Sequence, residues 1–506
     1  MGAATAYHLA RRKYGRVVVL ERDGICSGST ALASGGVRHQ YAHRIGIQLT
    51  QQSIVVYENF EAEFGVDPQF RQHGYLILQQ TAEERAIYAR SAELQRSLGV
   101  DTRVLEPDDV RAGWPYLRTE DLVSATYSPR DGFADPYLAT TAIAARAREL
   151  GAVIQTEHPV TGIAAGPNGR LTVRTPRADF EAPVVVIAAG CWSGEVGKLA
   201  GVEIPVFPHR RSKFVTAEFP GDRIPLETPF IIDHHVGLST RREGPGMVIG
   251  FGRKDEASSF DMRPDWKLVP AVAERLVRRI PAMADAPIMR AWAGLYEMTP
   301  DQMGIISQVP EVAGLHVLAG FSGHGFMHGP IAGQLMAELI ADGRAHTVDI
   351  APLDIERFKR AEVSVEVMTF VQRRFEEARG DSLPHLSPDL PARIRRAVHV
   401  DVEIALLEGV VLCVRRPYAR GHAPCVVSRP HQGNNHRAVL SRRGRMDVRR
   451  RTGSPGGGDA AADRSVHENR DGSGARRECA HSTYAMPWHI RCSPRHRSRL
   501  HEGDRS

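Results

Sequence analysis

Three short runs of mostly β-branched apolar residues constrain this chain more than anything else in it. They are Arg16 to Glu21 (RVVVLE), Pro183 to Ala188 (PVVVIA) and Leu315 to Ala319 (LHVLA). Each is apolar on successive positions rather than alternate ones. A strand carries that pattern when both its faces are covered, as in a parallel sheet with helices on either side. A glycine-bearing turn follows each run. The runs lie far apart, so the expectation is one parallel sheet assembled from distant segments, with a ligand beyond the carboxyl ends of its strands.

Other segments supply different elements. Gly2 to Arg11 places Ala3, Ala6, Leu9 and Ala10 at helical spacing, and Gly15 punctuates its end. A helix is expected from about Gly329 to Ile340, after the third run. Tyr75 to Leu78, Lys213 to Glu218 and Met247 to Phe251 alternate, as antiparallel strands of a second layer do, and helical patterns near 82–98, 137–150 and 266–280 interrupt them. No internal repeat stands out.

Charge divides the chain. Its 506 residues carry a formal net charge of +6, yet Arg393 to Ser506 alone holds 23 Arg, no Lys and 11 acidic residues. Residues 1 to 392 are therefore net acidic. A polar helix through Arg379 fits a closing segment at 346–390. Residues 391–506 form an Arg-rich tail with a Gly456 to Gly458 run. Disorder, or translation of a shifted reading frame, accounts for that composition better than a nucleic-acid-binding arm does. Six cysteines without metal-ligand spacing argue against a zinc site and a disulfide framework. No apolar run approaches the roughly 20 residues that span a bilayer. No basic segment leads into an apolar run and cleavage site, so a cytoplasmic location is the expectation.

The nucleotide-binding pattern needs a strand, three spaced glycines, a helix, and an acidic residue about 20 positions on that holds ribose hydroxyls. Gly2 fits the last glycine, and Glu21 ends the second strand at the right distance. The first strand and the first two glycines are expected to precede Met1. The fold class expected is α/β, with a Rossmann-like domain from 1–70, 137–200 and 300–345. An antiparallel-sheet substrate domain would come from 71–136 and 201–299.

The ordered set of motifs is more specific. Gly2 to Asp23, Ser27-Gly-Ser-Thr30, Ser34-Gly-Gly-Val-Arg-His39, Asp131 to Pro136, Val186 to Trp192, Tyr296 to Asp301 and Gly320 to Met327 occur in sequence. Together they resemble the glycine oxidase, sarcosine oxidase and D-amino-acid oxidase family of FAD enzymes. The sarcosine oxidase beta-subunit and dimethylglycine dehydrogenase-like branch is the nearest in pattern.

That resemblance implies FAD held by Gly2, Glu21, Arg22, Ser27, Gly28, Ser29, Thr30 and Ser34, with Gly35 and Gly36 passing close to the flavin ring. It adds Val160 at the adenine, Ala189, Gly190 and Trp192 along the adenosine, and Gly320, Ser322, Gly323, His324, Gly325, Phe326 and Met327 at the helix entry facing the flavin's N1–C2=O edge. Arg38, His39, Tyr296 and His324 are the expected catalytic groups, with His328 a further polar candidate. Two departures matter. Gly294 stands where monomeric sarcosine oxidases place a flavin-linking cysteine, which favours non-covalent FAD. Met327 stands where they place a lysine, which favours a dehydrogenase.

The implied reaction is hydride removal from a carbon beside nitrogen in sarcosine, glycine or dimethylglycine, delivered to flavin N5, with O2 or an electron-transfer acceptor following. A 2-hydroxy-acid dehydrogenase, a non-catalytic relic, and a subunit of a hetero-oligomer are the alternatives. Nucleic acid and membrane are not expected partners.

Overall fold

The structure is a computed structural model that describes residues 1–359 except 167–168 and 252–255. The readings made for the Arg-rich tail and for a helix through Arg379 lie outside the described residues.

The helix Gly2–Arg11 buries Ala4, Ala6, Leu9 and Ala10 as its spacing requires. It lies against the helix Gly325–Asp342, where a side chain on Gly333 would run into Ala4. Small residues on both sides thus set the close approach. Pro330 sits inside the second helix and cannot donate to the carbonyl four residues back. That carbonyl, Phe326 O, instead accepts the Tyr57 hydroxyl at 2.8 Å.

The apolar runs form strands, but not one sheet. Val18–Leu20 pairs in parallel with Val153–Gln155, whereas Val185–Ile187 pairs in parallel with Leu315–Ala319, which pairs antiparallel with Ile305–Gln308. No strand joins Val18–Leu20 to Val185–Ile187 among the described residues. Leu315–Ala319 is buried throughout, as its composition demands, while every residue of Val18–Leu20 is only partly buried. The single parallel sheet expected from the three runs is therefore two separate sheets.

The second layer is an eight-stranded mixed sheet, and all its strands come from the stretches 71–136 and 201–299. Its order runs from Ile288–Met298 at one edge, through Phe207–Thr216, Gly246–Phe251, Leu238–Glu243, Phe230–Asp233, Tyr75–Gln79 and Ser124–Ser128, to Arg103–Leu105. Successive side chains of a strand point to opposite faces, and here the two faces differ in kind. One carries Leu76, Ile231, Phe214, Met247 and Ile249, packed on Val272 and Leu276 of the helix Val269–Arg279. Burying each such side chain contributes about 1.5–3 kcal/mol.

Arg279 is wholly buried at the end of that helix. Its Nε donates to Asp233 Oδ2 at 2.8 Å and its Nη1 to Asp121 Oδ1 at 2.9 Å. The other face carries Arg211, Lys213, Ser239 and Tyr296, which the ladder registers place on one side with Gly250 and Gly294.

Candidate active site

A continuous cavity of about 2060 Å³ runs from the edges of the two small sheets to the polar face of the large one. At its first end stands the amino end of Gly2–Arg11, which has no side-chain cap. Near its middle stands the amino end of Gly325–Asp342, also without one. Uncapped helix starts present unpaired N–H groups and the positive end of the helix dipole, an arrangement that favours anions.

The loops after the first strand complete this end. Glu21 Oε1 accepts the Asp23 N–H at 3.1 Å, and the Arg22 guanidinium lies 4.5 Å over the Trp192 ring. Ser29 Oγ accepts the Leu295 N–H at 3.2 Å, and the Trp292 indole N–H donates to Leu32 O at 3.0 Å. The turn is thereby tied to the edge strand of the large sheet. A Cβ at Gly2 would meet Ala188 at 3.6 Å, which is ordinary contact and agrees with close helix–strand packing there.

The structure brings nearly every sequence-derived cofactor residue to this wall. It takes in Gly2, Glu21, Arg22, 27–30, 34–36 and Val160, then Ala189, Gly190, Trp192 and 322–327. Gly320 is not on it. That glycine has φ +81°, and a Cβ would press on Thr299 and Val206, so its absent side chain serves packing. Gly35 and Gly36 line the cavity, but the groups nearest them are protein atoms. A Cβ at Gly35, with φ +70°, would strike the Ala134 carbonyl, and one at Gly36 the Tyr75 hydroxyl. Their smallness thus accommodates the chain's own neighbours rather than a ring alone.

Among the expected catalytic groups, Arg38, Tyr296 and His324 line the cavity and His39 does not. His39 is buried against Asp131, its Nδ1 2.6 Å from Oδ1, and faces away. Arg38 donates from Nη1 to Gln40 O, and its Nη2 lies 3.0 Å from His324 Nε2. Burial, then the Arg38 charge, holds the His324 pKa well below its usual value. The neutral ring therefore accepts from Arg38. Arg38 also lies 4.4 Å over the Tyr41 ring, and the Tyr41 hydroxyl donates to Met327 Sδ at 2.9 Å. His328 is 3.0 Å from Thr50 Oγ1 and is held by burial to about 3.

Sequence reasoning missed four groups on the wall. Glu297 is partly buried, and desolvation raises its pKa. Its Oε1 accepts the Phe321 N–H at 3.2 Å, while Oε2 has no partner. His234 is held to about 4 by burial, with Nε2 buried and unpaired. Lys213 is a buried cation, and the partly buried Arg211 lies 5.2 Å over the Tyr296 ring. The cue for the cations was parity. Lys213 alternates with Phe214 in a strand, so the two must face opposite ways.

The residues present fit an FAD. The two helix starts suit its pyrophosphate and its N1–C2=O edge, Glu21 follows the second strand, and the cavity is continuous between them. At position 294 there is no sulfur, and even a Cβ would come within 3.1 Å of Leu32.

A family model described as FAD dependent oxidoreductase, DAO, matches residues 1–339. The chain is 31% identical over 417 residues to FAD-dependent oxidoreductase domain-containing protein 1 of Xenopus laevis, covering 72% of this chain and 82% of that one. It is 28% identical over 375 residues to the mitochondrial sarcosine dehydrogenase of Homo sapiens, covering 71% of this chain but only 40% of the relative. Among solved structures, L-proline dehydrogenase from P. horikoshii superposes with a TM-score of 0.67 at 31% identity, over 72% of this chain and 96% of that one.

Proposed function

Because the chain belongs to the DAO family of FAD-dependent oxidoreductases, we propose that it oxidises the C–N bond of a small amine or amino acid, of the sarcosine, glycine, dimethylglycine or proline kind. FAD, when bound, supplies the acceptor for the hydride. The observation that carries this reading is the joining, in one cavity, of one uncapped helix start at its first end, a second near its middle and a cationic, aromatic sheet face at the other end.

The chain's own residues bind and orient. Glu21 and the turn 27–30 hold the nucleotide end, and Trp192 walls it. Neutral His324 fixes the Arg38 guanidinium, so that cation presents a set direction to the cavity. The stacked Tyr75 and Phe230 rings, 4.5 Å apart, cover the inner end with apolar surface and exclude water from it. Hydride removal leaves no strong acid–base pair to be supplied, and Tyr296 and Arg211 frame the site as a donor hydroxyl and a fixed charge.

The test is anaerobic mixing of the flavin-loaded protein with sarcosine, N,N-dimethylglycine and L-proline, watching the visible flavin band bleach. Bleaching by one of these supports the reading. Bleaching by 2-hydroxy acids alone would replace it with a hydroxy-acid dehydrogenase. Reoxidation by air, compared with a dye acceptor, then separates oxidase from dehydrogenase.

A further inference from the structure

Tyr75 opens the strand Tyr75–Gln79 of the large sheet and pairs in parallel register with Phe230. Its ring stacks on Phe230, 4.5 Å apart at 11°, and both residues line the cavity. The hydroxyl reaches the turn at 34–38 and occupies the place that a side chain on Gly36 would take. A Cβ there would strike the phenolic oxygen and come within 3.3 Å of Phe230. Glycine at 36 is thus what lets a hydroxyl stand at this point of the wall.

Three contacts fix that arrangement. Gly36 pairs with Phe133 in a short antiparallel ladder, Arg241 Nε donates to Ser34 O at 2.7 Å, and Gln40 Nε2 donates to Tyr75 O at 2.9 Å. The stack and the turn therefore hold the hydroxyl in place before any ligand enters.

Tyr75 is only 3% exposed, yet its hydroxyl has no hydrogen bond among the described residues. Buried phenols usually find an acceptor. Tyr7 gives its hydroxyl to Glu63, Tyr41 to Met327 Sδ and Tyr57 to Phe326 O. The Tyr75 oxygen is not sealed in by protein, as the unpaired Glu297 Oε2 is, so it opens on the cavity. Burial pushes its pKa up, which keeps it a neutral donor. The cations on the same wall, Arg38, Arg211 and Lys213, are donors themselves and offer it no acceptor. Lys213 too has no hydrogen bond or ion pair among the described residues.

The place of the turn says what the acceptor is. Arg38, two residues on from Gly36, lies 3.0 Å from His324. His324 stands immediately before the helix Gly325–Asp342, whose start suits the flavin's N1–C2=O edge. A short run of residues on one wall thus joins the hydroxyl to that helix start. We propose that Tyr75 is a hydrogen-bond donor to the flavin ring of bound FAD. This rests on the flavin alone, which amine and hydroxy-acid oxidation share, and not on the choice of substrate. Reduction adds electron density to that ring, so a fixed neutral donor beside it stabilises the reduced form more than the oxidised one. Tyr75 thereby strengthens the cofactor as an acceptor of the substrate's hydride.

Tyr75→Phe removes the hydroxyl and keeps the stack on Phe230, so it takes no protein hydrogen bond away. Parent and variant are loaded with FAD, and the midpoint potential of each is read without substrate by anaerobic equilibration against a dye of known potential. Loss of the donor should lower the equilibrium constant for reduction by about three- to tenfold, a tenfold fall being about 30 mV for a two-electron couple. An unchanged potential, or a higher one, overturns the proposal.

A calorimetric titration with a non-oxidisable ligand, pyrrole-2-carboxylate, names the alternative. If the variant keeps the parent's potential but binds that ligand more weakly, the hydroxyl belongs to the substrate and the proposal falls. No substrate enters the measurement of potential, so the amine-oxidation reading stands or falls apart from this one.

Discussion

The two faces of the eight-stranded sheet are made from alternate residues of the same strands, yet they answer to different demands. On one side Phe214, Ile231 and Met247 close against the helix Val269–Arg279, where Arg279 is matched by Asp233 and Asp121 and Arg242 lies over the Phe219 ring with two of its nitrogens unpartnered. On the other side the buried Lys213 and the partly buried Arg211 line a cavity, and desolvation lowers the pKa of the nearby histidines. The first face is closed by apolar packing. The second is arranged for something that is not protein. What separates them is what covers them, a helix on one face and a cavity on the other, since both faces hold buried cations.

Removing the matched cation should hurt most. Arg279→Met leaves Asp233 buried with its charge partner gone, and should lower the unfolding free energy by about 3–5 kcal/mol, read from urea denaturation. Phe214→Ala, on the same side, should cost a comparable or slightly smaller amount, about 3–4 kcal/mol, through the cavity it opens. If either variant melts like the parent, the apolar face is not what holds the sheet.

Lys213→Met should move stability the other way, by on the order of 1 kcal/mol in favour of the fold. A clear loss of stability would mean that the ammonium is satisfied after all, and would erase the contrast between the faces.

A pH dependence tests the same contrast. His234, His324 and His328 have folded pKa values below the unfolded value of about 6.5; His234 lies at about 4 and His328 at about 3. Below about 6.5 the unfolded chain takes up protons that the folded one refuses, so stability is full above that pH and falls as pH drops toward 4. Each histidine adds a slope of up to about 1.4 kcal/mol per pH unit. His328→Gln should flatten the curve of urea midpoint against pH between 6.5 and 4. An unchanged slope would place the acid sensitivity elsewhere.

Much of the nucleotide end was legible because its residues act through local chain geometry. Glu21 after VVVL, the glycine turns and the LHVLA strand leading into a helix are signals a short window contains. The helices near 82–98, 137–150 and 266–280 appear at Ala82–Ser97, Pro136–Glu149 and Val269–Arg279 for the same reason. The amine end was less legible because it is built by register. Lys213 matters only because Gly250 and Trp292 stand opposite it, and those pairings join residues dozens of positions apart. A lone lysine in an alternating run otherwise reads as a solvated edge. His39 misled by the reverse route, since its neighbour Arg38 enters the cavity while its own ring turns to Asp131. Gly35 and Gly36 were read as making room for a ring, whereas their tightest neighbours are Ala134 and Tyr75.

The edge strands Val18–Leu20 and Val185–Ile187 carry a colloidal consequence. Each presents backbone donors and acceptors on one side, with valine side chains only partly covered. Such edges are templates for any extended apolar segment, including the same segments of another copy. Concentrated solutions of the chain should therefore scatter light through strand-to-strand association. Whatever fills the cavity along those edges should act on shelf life and expression yield before it acts on turnover.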